Sequence, residues 1–326
     1  MARLCAMTTS NDIPLAASPI DRAAHHRTDE RWLANARKNP DGLVCLLQGG
    51  NPMLEGGRGV TQSGPGMFRD GPAKPLVWLG PEAWRLPVQR EVFLGKDKHG
   101  APVFALDLPM DFALTGSLIE GAGEFEDMRS AAGILSPLEA NCASTARSLF
   151  EWHRKHQFCA NCGAPSEVTE AGWKRTCPAC GTEHFPRTDP VAIMMAVKGD
   201  RCLLGRGKGW PPGFISCLAG FVEPGETVEQ AAAREIFEEA GVRCDPASAE
   251  FLFCQPWPFP SSLMMGLILD ADTEAITIDP NEIESAHWIT RDEARQMLAG
   301  THPRWGCPPP MAIAHHVLKA WAVRER

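Results

Sequence analysis

Short apolar runs, separated by Gly, Pro, Asn and Asp, divide most of the chain into segments of strand length. Up to about residue 125, the runs GLVCLLQ, PLVWLG, EVFLG and PVFALDL predict a strand-rich α/β unit. After residue 186, segments whose apolar residues have the spacing of a strand alternate with segments that have the spacing of a helix. The predicted strands are 191–197, 202–206, 215–219, 251–254, 263–269 and 286–289, and the predicted helices are 228–240, 291–299 and 310–323. This mixture predicts an α/β sandwich in the C-terminal part.

Between these two regions, residues 129–156 have the composition and periodicity of a helix. Pro137 and Glu139 suit the first turn of its second half. We therefore predict a linker helix over 129–156, with an N-terminal domain at 1–128 before it.

The composition is that of a globular chain of 326 residues, 44% of them hydrophobic, which favours two or more domains. The apolar runs at 191–197 and 263–269 are too short to span a bilayer, and MARLCAMTTSNDIP lacks the apolar core of a secretory signal, so we expect a cytoplasmic protein with no membrane partner. The net charge of -8 gives no general attraction to nucleic acid. Twelve cysteines in an unexported chain favour metal ligands and buried thiols over disulfides.

Two Cys-x2-Cys pairs, CANCG and CPACG, are separated by fourteen residues. Such pairs supply four thiolates at the spacing of a tetrahedral zinc site. The predicted zinc ligands are Cys159, Cys162, Cys177 and Cys180. Four protein ligands leave no open position, so the predicted role is structural and the domain is a zinc ribbon at 157–186, followed by a catalytic domain at 187–326. In a variant geometry His153, His156 or His184 would be ligands; otherwise we expect them to be partly exposed polar residues.

A second cluster of polar residues lies in GFVEPGETVEQAAAREIFEEAGV, residues 220–242. Thr227 and Gln230 form a capping-box sequence, and Gly241 suits a helix C-terminus, so a helix over 228–240 is predicted.

On that helix Glu235, Glu238 and Glu239 stand at i, i+3 and i+4, which places three carboxylates on one face. Like charges at this spacing repel one another unless a cation lies among them. A divalent Mg2+ or Mn2+ ion would relieve the repulsion and could also bind substrate phosphates. A solvated acidic face is the alternative, although the apolar Ile236 and Val242 indicate a helix that is partly buried.

The spacing Gly-x5-Glu-x7-Arg-Glu-apolar-x-Glu-Glu-x-Gly-apolar, from Gly220 to Val242, is complete, and the segment closely resembles the Nudix box. The resemblance implies a loop-helix-loop that holds divalent metals against a nucleoside diphosphate linked to another group. It implies these roles: metal binding by Glu235, Glu238 and Glu239, ion pairing by Arg234, loop shaping by Gly220 and Gly241, and a structural role for Glu226.

Downstream, CQPWPFPSSLM at 254–264 carries three prolines in five residues, which excludes an ordinary central strand and favours a rigid aromatic loop. Together with the Nudix box and four-cysteine ribbon, it resembles the NADH pyrophosphatase branch of the family, and residues 19–33 resemble the start of that branch's N-terminal domain. Cys254 stands where the branch usually has serine, and Phe185 where it often has tyrosine. The implied fold is a Nudix α/β/α sandwich with a mixed sheet, preceded by the ribbon and an N-terminal Nudix-like α/β domain.

The branch resemblance also implies further site residues. Glu282 corresponds to an acidic residue that approaches the metals, and Phe221 and Phe185 to aromatics that sandwich adenine, one of them from a partner subunit, which implies a homodimer. The resemblance implies that Gln255, Trp257, Phe259 and Ser262 belong to the substrate-binding loop.

The function expected from these features is metal-dependent hydrolysis of NADH or NAD+ to nicotinamide mononucleotide and AMP, with Glu239 or Glu282 accepting the proton of water. Alternatives within the same chemistry are removal of NAD caps from RNA 5′ ends and hydrolysis of ADP-ribose or diadenosine polyphosphates. A nucleic-acid-binding regulator is the alternative from a different class, against which the acidic charge and the complete set of carboxylates both count.

Overall fold

The computed structural model describes residues 9–10, 13–17, 20–56 and 75–324. Most of the N-terminal stretch inspected for a signal, and residue 19 of the segment 19–33, lie outside the described residues. The chain divides into two compact units. The C-terminal unit holds Asp189–Pro256, the described residues from Ser262 onward and those before residue 17, while the N-terminal unit holds the described residues of 17–188 together with Trp257–Ser261.

Six helices lie within the described residues: α1 (Glu30–Ala36), α2 (Met128–Ala132), α3 (Pro137–Lys155), α4 (Val228–Ala240), α5 (Arg291–Leu298) and α6 (Ile313–Val323). Capping boxes start α3, α4 and α5, each through a Ser or Thr at the N-cap and a Glu or Gln three residues later. Only α1 and α2 use an aspartate cap instead. None of the helices described is both long and apolar enough to cross a lipid bilayer.

The predicted linker helix at 129–156 is two helices, because α2 ends at Ala132, with Gly133 as its C-cap, and Ser136 begins a new capping box. Pro137 occupies the first turn of α3, where its missing N–H leaves no intrahelical hydrogen bond unmade. The signal for the second start was present in the sequence, but the helical composition on both sides hid the break.

In the N-terminal unit, one mixed sheet has the order β4-β5-β1-β2-β6, with β3 paired to β1. Its strands are β1 (Leu43–Gln48), β2 (Asn51–Leu54), β3 (Trp78–Leu79), β4 (Arg90–Lys96), β5 (Pro102–Leu108) and β6 (Glu124–Phe125). β1 runs parallel to β5 and antiparallel to β2 and β3. A second, three-stranded antiparallel sheet follows α3: β7 (Glu167–Thr169), β8 (Lys174–Thr176) and β9 (Glu183–His184).

The C-terminal unit contains a sheet of the order β13-β14-β10-β11-β15, with β12 paired to β10. Its strands are β10 (Asp189–Lys198), β11 (Arg201–Gly207), β12 (Leu218–Phe221), β13 (Glu250–Trp257), β14 (Ser262–Asp270) and β15 (Ile283–Thr290). Taken in chain order, its six strands pair in the same way as β1 to β6. The expected Nudix-like N-terminal domain is therefore confirmed at the level of topology. The strand predicted at 215–219 begins later, at Leu218.

The two sheets differ in what connects the third strand to the fourth. In the C-terminal unit this connection carries α4, whereas in the N-terminal unit it carries only a short 3-10 helix, Pro81–Arg85. The acidic helix is thus confined to the second copy of the topology.

Alternating residues of β10 supply the two faces of the C-terminal sheet. Ala192, Met194 and Ala196 pack with α4, while Ile193 and Met195 belong to the core that includes α5 and α6. The predicted α/β/α sandwich with a mixed sheet is confirmed. Because α4 is buried along its Ala231, Ala232, Ile236 and Ala240 stripe, its opposite side is left to carry the charged residues.

Pro256 lies inside β13, a segment predicted as loop. β13 is an edge strand of its sheet, so a residue without an N–H can be accommodated there. The prediction that this segment is not a central strand is correct, but the strand extends further into it than expected.

Candidate metal and substrate site

The ends of α4 fix the position of its acidic residues. Thr227 accepts from the Gln230 backbone N–H, and the Gln230 side chain accepts from the Thr227 N–H. At the other end Gly241 has φ 70, and a Cβ there would lie 3.0 Å from both Cβ and O of Thr277. A left-handed residue with no side chain is therefore required where the segment after β14 crosses the helix end.

Three carboxylates converge beside this helix. Three carboxylate oxygens, one each from Glu235, Glu239 and Glu282, lie within 4.8 Å of one another. The backbone of Asp279 donates to the Glu239 carbonyl at 3.0 Å, which ties the loop carrying Glu282 to the end of α4. Oxygen donors arranged in this way suit a hard divalent cation such as Mg2+ or Mn2+.

Glu238 does not belong to this cluster, although the sequence places it on the same face. Its carboxylate is about half exposed and accepts from Arg234 at 2.8 Å. The rotation of about 100° between consecutive helical residues thus separates the two glutamates, with Glu239 directed inward and Glu238 toward the arginine and solvent.

Arg234 organises the acidic group from the helix surface. Its Nε and NH2 bind Glu226 at 2.7 and 2.8 Å, its NH1 binds Glu235 and Glu238 at 2.8 Å each, and its NH2 also reaches the Phe221 carbonyl at 2.9 Å. These pairings raise the pKa of the guanidinium, and the Arg234 pair lowers the pKa of Glu226 to about 2. Both carboxylate oxygens of Glu226 are therefore paired with Arg234, which is consistent with a structural role.

The two inner glutamates respond differently to their surroundings. Glu239 is 6% exposed, and burial, followed by the charges of Glu235 and Glu282, raises its pKa to about 8 despite a hydrogen bond from the Ala219 backbone. Burial also raises the pKa of Glu235, which Arg234 partly offsets. Buried carboxylates with raised pKa values favour a bound cation, since the cation replaces the proton as the neutralising charge.

Gly220 is required by this packing. A Cβ at position 220, in β12, would overlap the carboxyl group of Glu235, so any larger residue would displace that side chain. This explains why a glycine begins the acidic motif fifteen residues before the glutamate it accommodates.

The four cysteines of the N-terminal unit form a second metal-ligand set. Their sulfurs lie within 4.8 Å of one another, with Cys159 to Cys180 at 3.6 Å and Cys162 to Cys177 at 3.5 Å. Four sulfurs at about 2.3 Å from a tetrahedral zinc would be roughly 3.8 Å apart, so the set fits zinc. Each pair sits in a turn closed by a glycine with positive φ, Gly163 or Gly181.

None of the three histidines near the ribbon belongs to this set. His184 lies 3.3 Å from the Cys159 sulfur, which makes it an outer-sphere neighbour. His153 is buried, contrary to the expectation of partial exposure: its Nε2 bonds the Gly172 carbonyl at 2.9 Å, and its Nδ1 lies 3.3 Å from Arg175 NH1. Burial lowers the pKa of His153 to about 4, so its ring is neutral at pH 7. Because the Gly172 carbonyl can only accept a hydrogen bond, Nε2 carries the proton and Nδ1 accepts from the arginine.

Three consecutive segments of the chain match known protein domains. Residues 186–306 match the NUDIX domain, residues 154–185 the NADH pyrophosphatase zinc ribbon domain, and residues 41–152 the NADH pyrophosphatase-like rudimentary NUDIX domain. The chain is 35% identical to human NAD(P)H pyrophosphatase NUDT13, mitochondrial, over 76% of this chain and 74% of that protein. It is 36% identical to the NAD-capped RNA hydrolase NudC of Mycobacterium bovis, over 73% of this chain and 77% of that protein.

The chain belongs to the Nudix hydrolase family. A further relative, the NAD-capped RNA hydrolase NUDT12 of Macaca fascicularis, is 44% identical over 198 residues. That match covers 57% of this chain but only 42% of the relative, so the chain spans about two fifths of its length. The term rudimentary for the N-terminal domain agrees with the absence of an α4 counterpart between β3 and β4.

Of the remaining residues predicted to bind substrate, Phe221 and Ser262 belong to the C-terminal unit, and Phe185, Trp257 and Phe259 to the N-terminal unit. Phe221, in β12, is 58% exposed and Phe185, after β9, is 64% exposed, so both rings present a face to solvent. Trp257 and Phe259 are half-buried, and Ser262 is the half-buried first residue of β14. Trp257 and Phe259 are in contact edge-on, with ring centroids 5.3 Å apart.

Gln255 has no surface left for a ligand. It is 0% exposed; its Nε2 donates to the carbonyls of Pro14 and Met311 at 2.6 and 2.8 Å, and its Oε1 accepts from the Ile313 N–H at 2.9 Å. Its amide fastens the edge strand β13 to the start of α6, which is a structural role. The sequence pattern does not distinguish Gln255 from its aromatic neighbours, because burial is not visible in a proline-rich motif.

We expect metal affinity at the Nudix carboxylates to increase as pH rises toward 8. Because the pKa of Glu239 is about 8 without metal, the carboxyl retains a proton at pH 7, and cation binding must release it. Calorimetric titration with Mn2+ at pH 7 of protein that keeps its ribbon zinc but is free of other divalent cations, in two buffers of different ionisation enthalpy, should give about one proton released per cation. Release at pH 7 but not at pH 9.5 is expected; proton-independent binding at pH 7 would contradict the assignment of Glu239 as a ligand.

Proposed function

We propose that the protein hydrolyses the pyrophosphate bond of NADH or NAD+ to nicotinamide mononucleotide, reduced or oxidised, and AMP. The observation that carries this proposal is the convergence of Glu235, Glu239 and Glu282 within 4.8 Å on a complete Nudix box. The zinc ribbon of the NADH pyrophosphatase type and the QPWPFP segment support the coenzyme as substrate.

The side chains have separable tasks in the reaction. Glu235, Glu239 and Glu282 would hold Mg2+ or Mn2+, with Glu238 available at the edge of the group. A bound divalent cation supplies neutralisation of the diphosphate and a more acidic water. One water oxygen attacks a phosphorus, the bridging P–O bond breaks, and the water's proton passes to a carboxylate, for which Glu239 and Glu282 are the candidates. Arg234 pairs with Glu235 and Glu238 and orients both carboxylates.

Phe221 and Phe185 would stack on adenine, and their exposure supports this role because an open ring face is needed for stacking. We further propose a homodimer in which one of these rings comes from the partner subunit, and a cytoplasmic location. Trp257, Phe259 and Ser262 would contact the rest of the coenzyme.

A second candidate substrate is the NAD cap of RNA. The names of two relatives, NUDT12 of Macaca fascicularis and NudC of Mycobacterium bovis, describe NAD-capped RNA hydrolases. The same bond would break, with the RNA chain attached to the AMP half. ADP-ribose and diadenosine polyphosphates contain the same anhydride linkage and complete the set of substrates to be tested.

The test is a matched substrate panel. The purified full chain with Mg2+ or Mn2+ is incubated with NADH, NAD+, ADP-ribose, a diadenosine polyphosphate and NAD-capped RNA, and products are separated by chromatography. We expect nicotinamide mononucleotide and AMP from the free coenzyme, with kcat/KM at least about tenfold above that for ADP-ribose, since loss of a recognised group costs about one to two factors of ten. Binding of generic RNA without any hydrolysis would instead support the regulator alternative.

A further inference from the structure

The segment Trp257–Ser261 joins β13 to β14 in the C-terminal sheet, yet it packs as part of the N-terminal unit. We call these five residues the aromatic tip. Within the N-terminal unit the tip contacts α2 and α3: the Arg129 guanidinium lies 4.1 Å from the Phe259 ring centroid, and Ser148 Oγ donates to the Pro260 carbonyl at 3.1 Å. The backbone of the tip is therefore held by residues more than a hundred positions away in sequence.

Arg147 is the central contact of this arrangement. Its Nε donates to the Pro258 carbonyl at 2.9 Å, and its NH1 donates to the Gly50 carbonyl at 2.7 Å. The same guanidinium lies 5.2 Å from the centroid of the Phe259 ring. One side chain on α3 thus joins the turn between β1 and β2 to the aromatic tip. Planar guanidinium groups suit such bridging, because their N–H groups point in fixed, different directions.

The turn between β1 and β2 is shaped to receive the arginine. Gly49 and Gly50 have φ 59 and 81, and they connect Gln48 to Asn51 as the two central residues of a tight hairpin. A Cβ at Gly50 would lie 2.6 Å from Arg147 NH1, whereas a Cβ at Gly100, with a similar φ of 85, would meet nothing within 4 Å. Gly50 is therefore constrained by its backbone and also by the arginine.

We call the hydrogen bonds from Arg147 to the carbonyls of Gly50 and Pro258 the bridge. Because Arg147 is half-buried, loss of these hydrogen bonds is expected to cost free energy. Burial lowers the pKa of the Arg147 guanidinium, with the charge of Asp127 acting in the opposite direction. A half-buried cation whose carbonyl partners are removed retains its desolvation cost without compensation, so the geometry is expected to be held firmly.

We propose that Arg147 is a positioning residue for substrate binding, through which the rudimentary Nudix domain holds the aromatic tip in the conformation that receives the coenzyme. This inference rests on the proposed function, because it assumes that Trp257 and Phe259 contact NADH. It assigns a role in substrate binding to the N-terminal domain, which has no counterpart of α4 between β3 and β4.

The first test compares Arg147→Met with Arg154→Met. Arg154 lies on the same helix and makes an ion pair with Glu151, so it controls for loss of a positive charge from α3. Arg147→Met is expected to raise KM for NADH about tenfold or more with kcat within about threefold, as expected for loss of a charged hydrogen bond that acts on binding. Arg154→Met should leave both constants within twofold.

The second test approaches the bridge from the N-terminal domain. Gly50→Ala and Gly100→Ala impose similar backbone strain, but only the former places a methyl group against Arg147. Gly50→Ala should reproduce the KM increase, Gly100→Ala should not, and the double variant Gly50→Ala/Arg147→Met should be no worse than Arg147→Met alone. This pattern would show that the turn acts through the arginine.

Hydrogen exchange of the peptide spanning 254–262 provides a readout independent of activity. Faster exchange there in Arg147→Met and Gly50→Ala, with the KM effect, supports the proposal. Faster exchange with unchanged KM overturns it, because the bridge would then hold the tip without affecting substrate; unchanged exchange also overturns it. If the wild-type protein hydrolyses no NADH, the proposed function fails first, whereas a failure of the bridge alone leaves wild-type hydrolysis intact.

Discussion

Replacing Glu239 by glutamine is expected to lower kcat for NADH hydrolysis by at least about 10², the low end for removal of a catalytic acid-base or electrostatic group. Glutamine keeps the size of the side chain and can keep the hydrogen bond from the Ala219 backbone, but it cannot supply a charged oxygen. The loss should be in kcat more than in KM, since the substrate-contacting residues are unchanged.

The same substitution is expected to stabilise the metal-free protein at high pH. The pKa of Glu239 in the folded state, about 8, is above its ordinary value of 4.5, so its contribution to stability is present at low pH and is lost as pH rises through 8. Replacing the Glu239 carboxyl by an amide removes this pH dependence of stability. Thermal unfolding at pH 9 of samples that keep the ribbon zinc but contain no Mg2+ or Mn2+ should therefore give a higher Tm for Glu239→Gln than for wild type, and the difference should shrink toward pH 5.

A matched control is Glu229→Gln, on the first turn of the same helix and outside the carboxylate cluster. It should retain turnover within about twofold. Near wild-type turnover in a folded Glu239→Gln protein would refute the catalytic role of this residue. A loss of turnover combined with a lower metal-free Tm at pH 9 would show that the effect comes from misfolding rather than from the missing charge.

Features coded by local chemistry could be read from the sequence. α4 begins and ends at the predicted residues 228 and 240, because a capping box and a left-handed glycine are local signals. The alternating faces of β10 and β14 likewise appear as apolar runs of strand length. The cysteine spacing predicted four sulfurs in one place, and they lie together.

Features decided by burial could not be read in the same way. Glu238 and Glu239 are adjacent and chemically identical, yet one pairs with Arg234 and the other lies inside the cluster. Which of them turns inward depends on the packing of α4 against β10 and β12, a tertiary property. For the same reason, burial of Gln255 and His153 gave no signal in the sequence.

Contacts between distant segments were also invisible to motif reading. Arg147 is an unremarkable residue of a helical sequence, and only the fold brings it to Gly50 and Pro258, which are 97 and 111 positions away. The duplicated strand order shows how this could arise: one copy of the topology keeps the acidic helix, and the other is free to carry contacts of a different kind.

Removal of the predicted zinc, by a chelator or by Cys177→Ser, is expected to unfold the ribbon over residues 157–186. Within that segment the only fully buried apolar side chains are Cys159 and Cys177, two of the four proposed ligands, so the segment has little apolar core of its own apart from the metal site. Structural zinc contributes about 10 to 16 kcal/mol in isolated finger peptides, far more than three short strands can replace.

Native mass spectrometry should find one zinc per wild-type chain and none in Cys177→Ser. Hydrogen exchange over 157–186 should then rise by a factor of at least about 10³, since the segment would lose most of its opening free energy. Cys254→Ser is the matched control, because Cys254 is a half-buried thiol outside the ribbon. Full protection of 157–186 in zinc-free protein would contradict the metal's structural role, since the remaining contacts of the segment would then suffice to keep β7, β8 and β9 together.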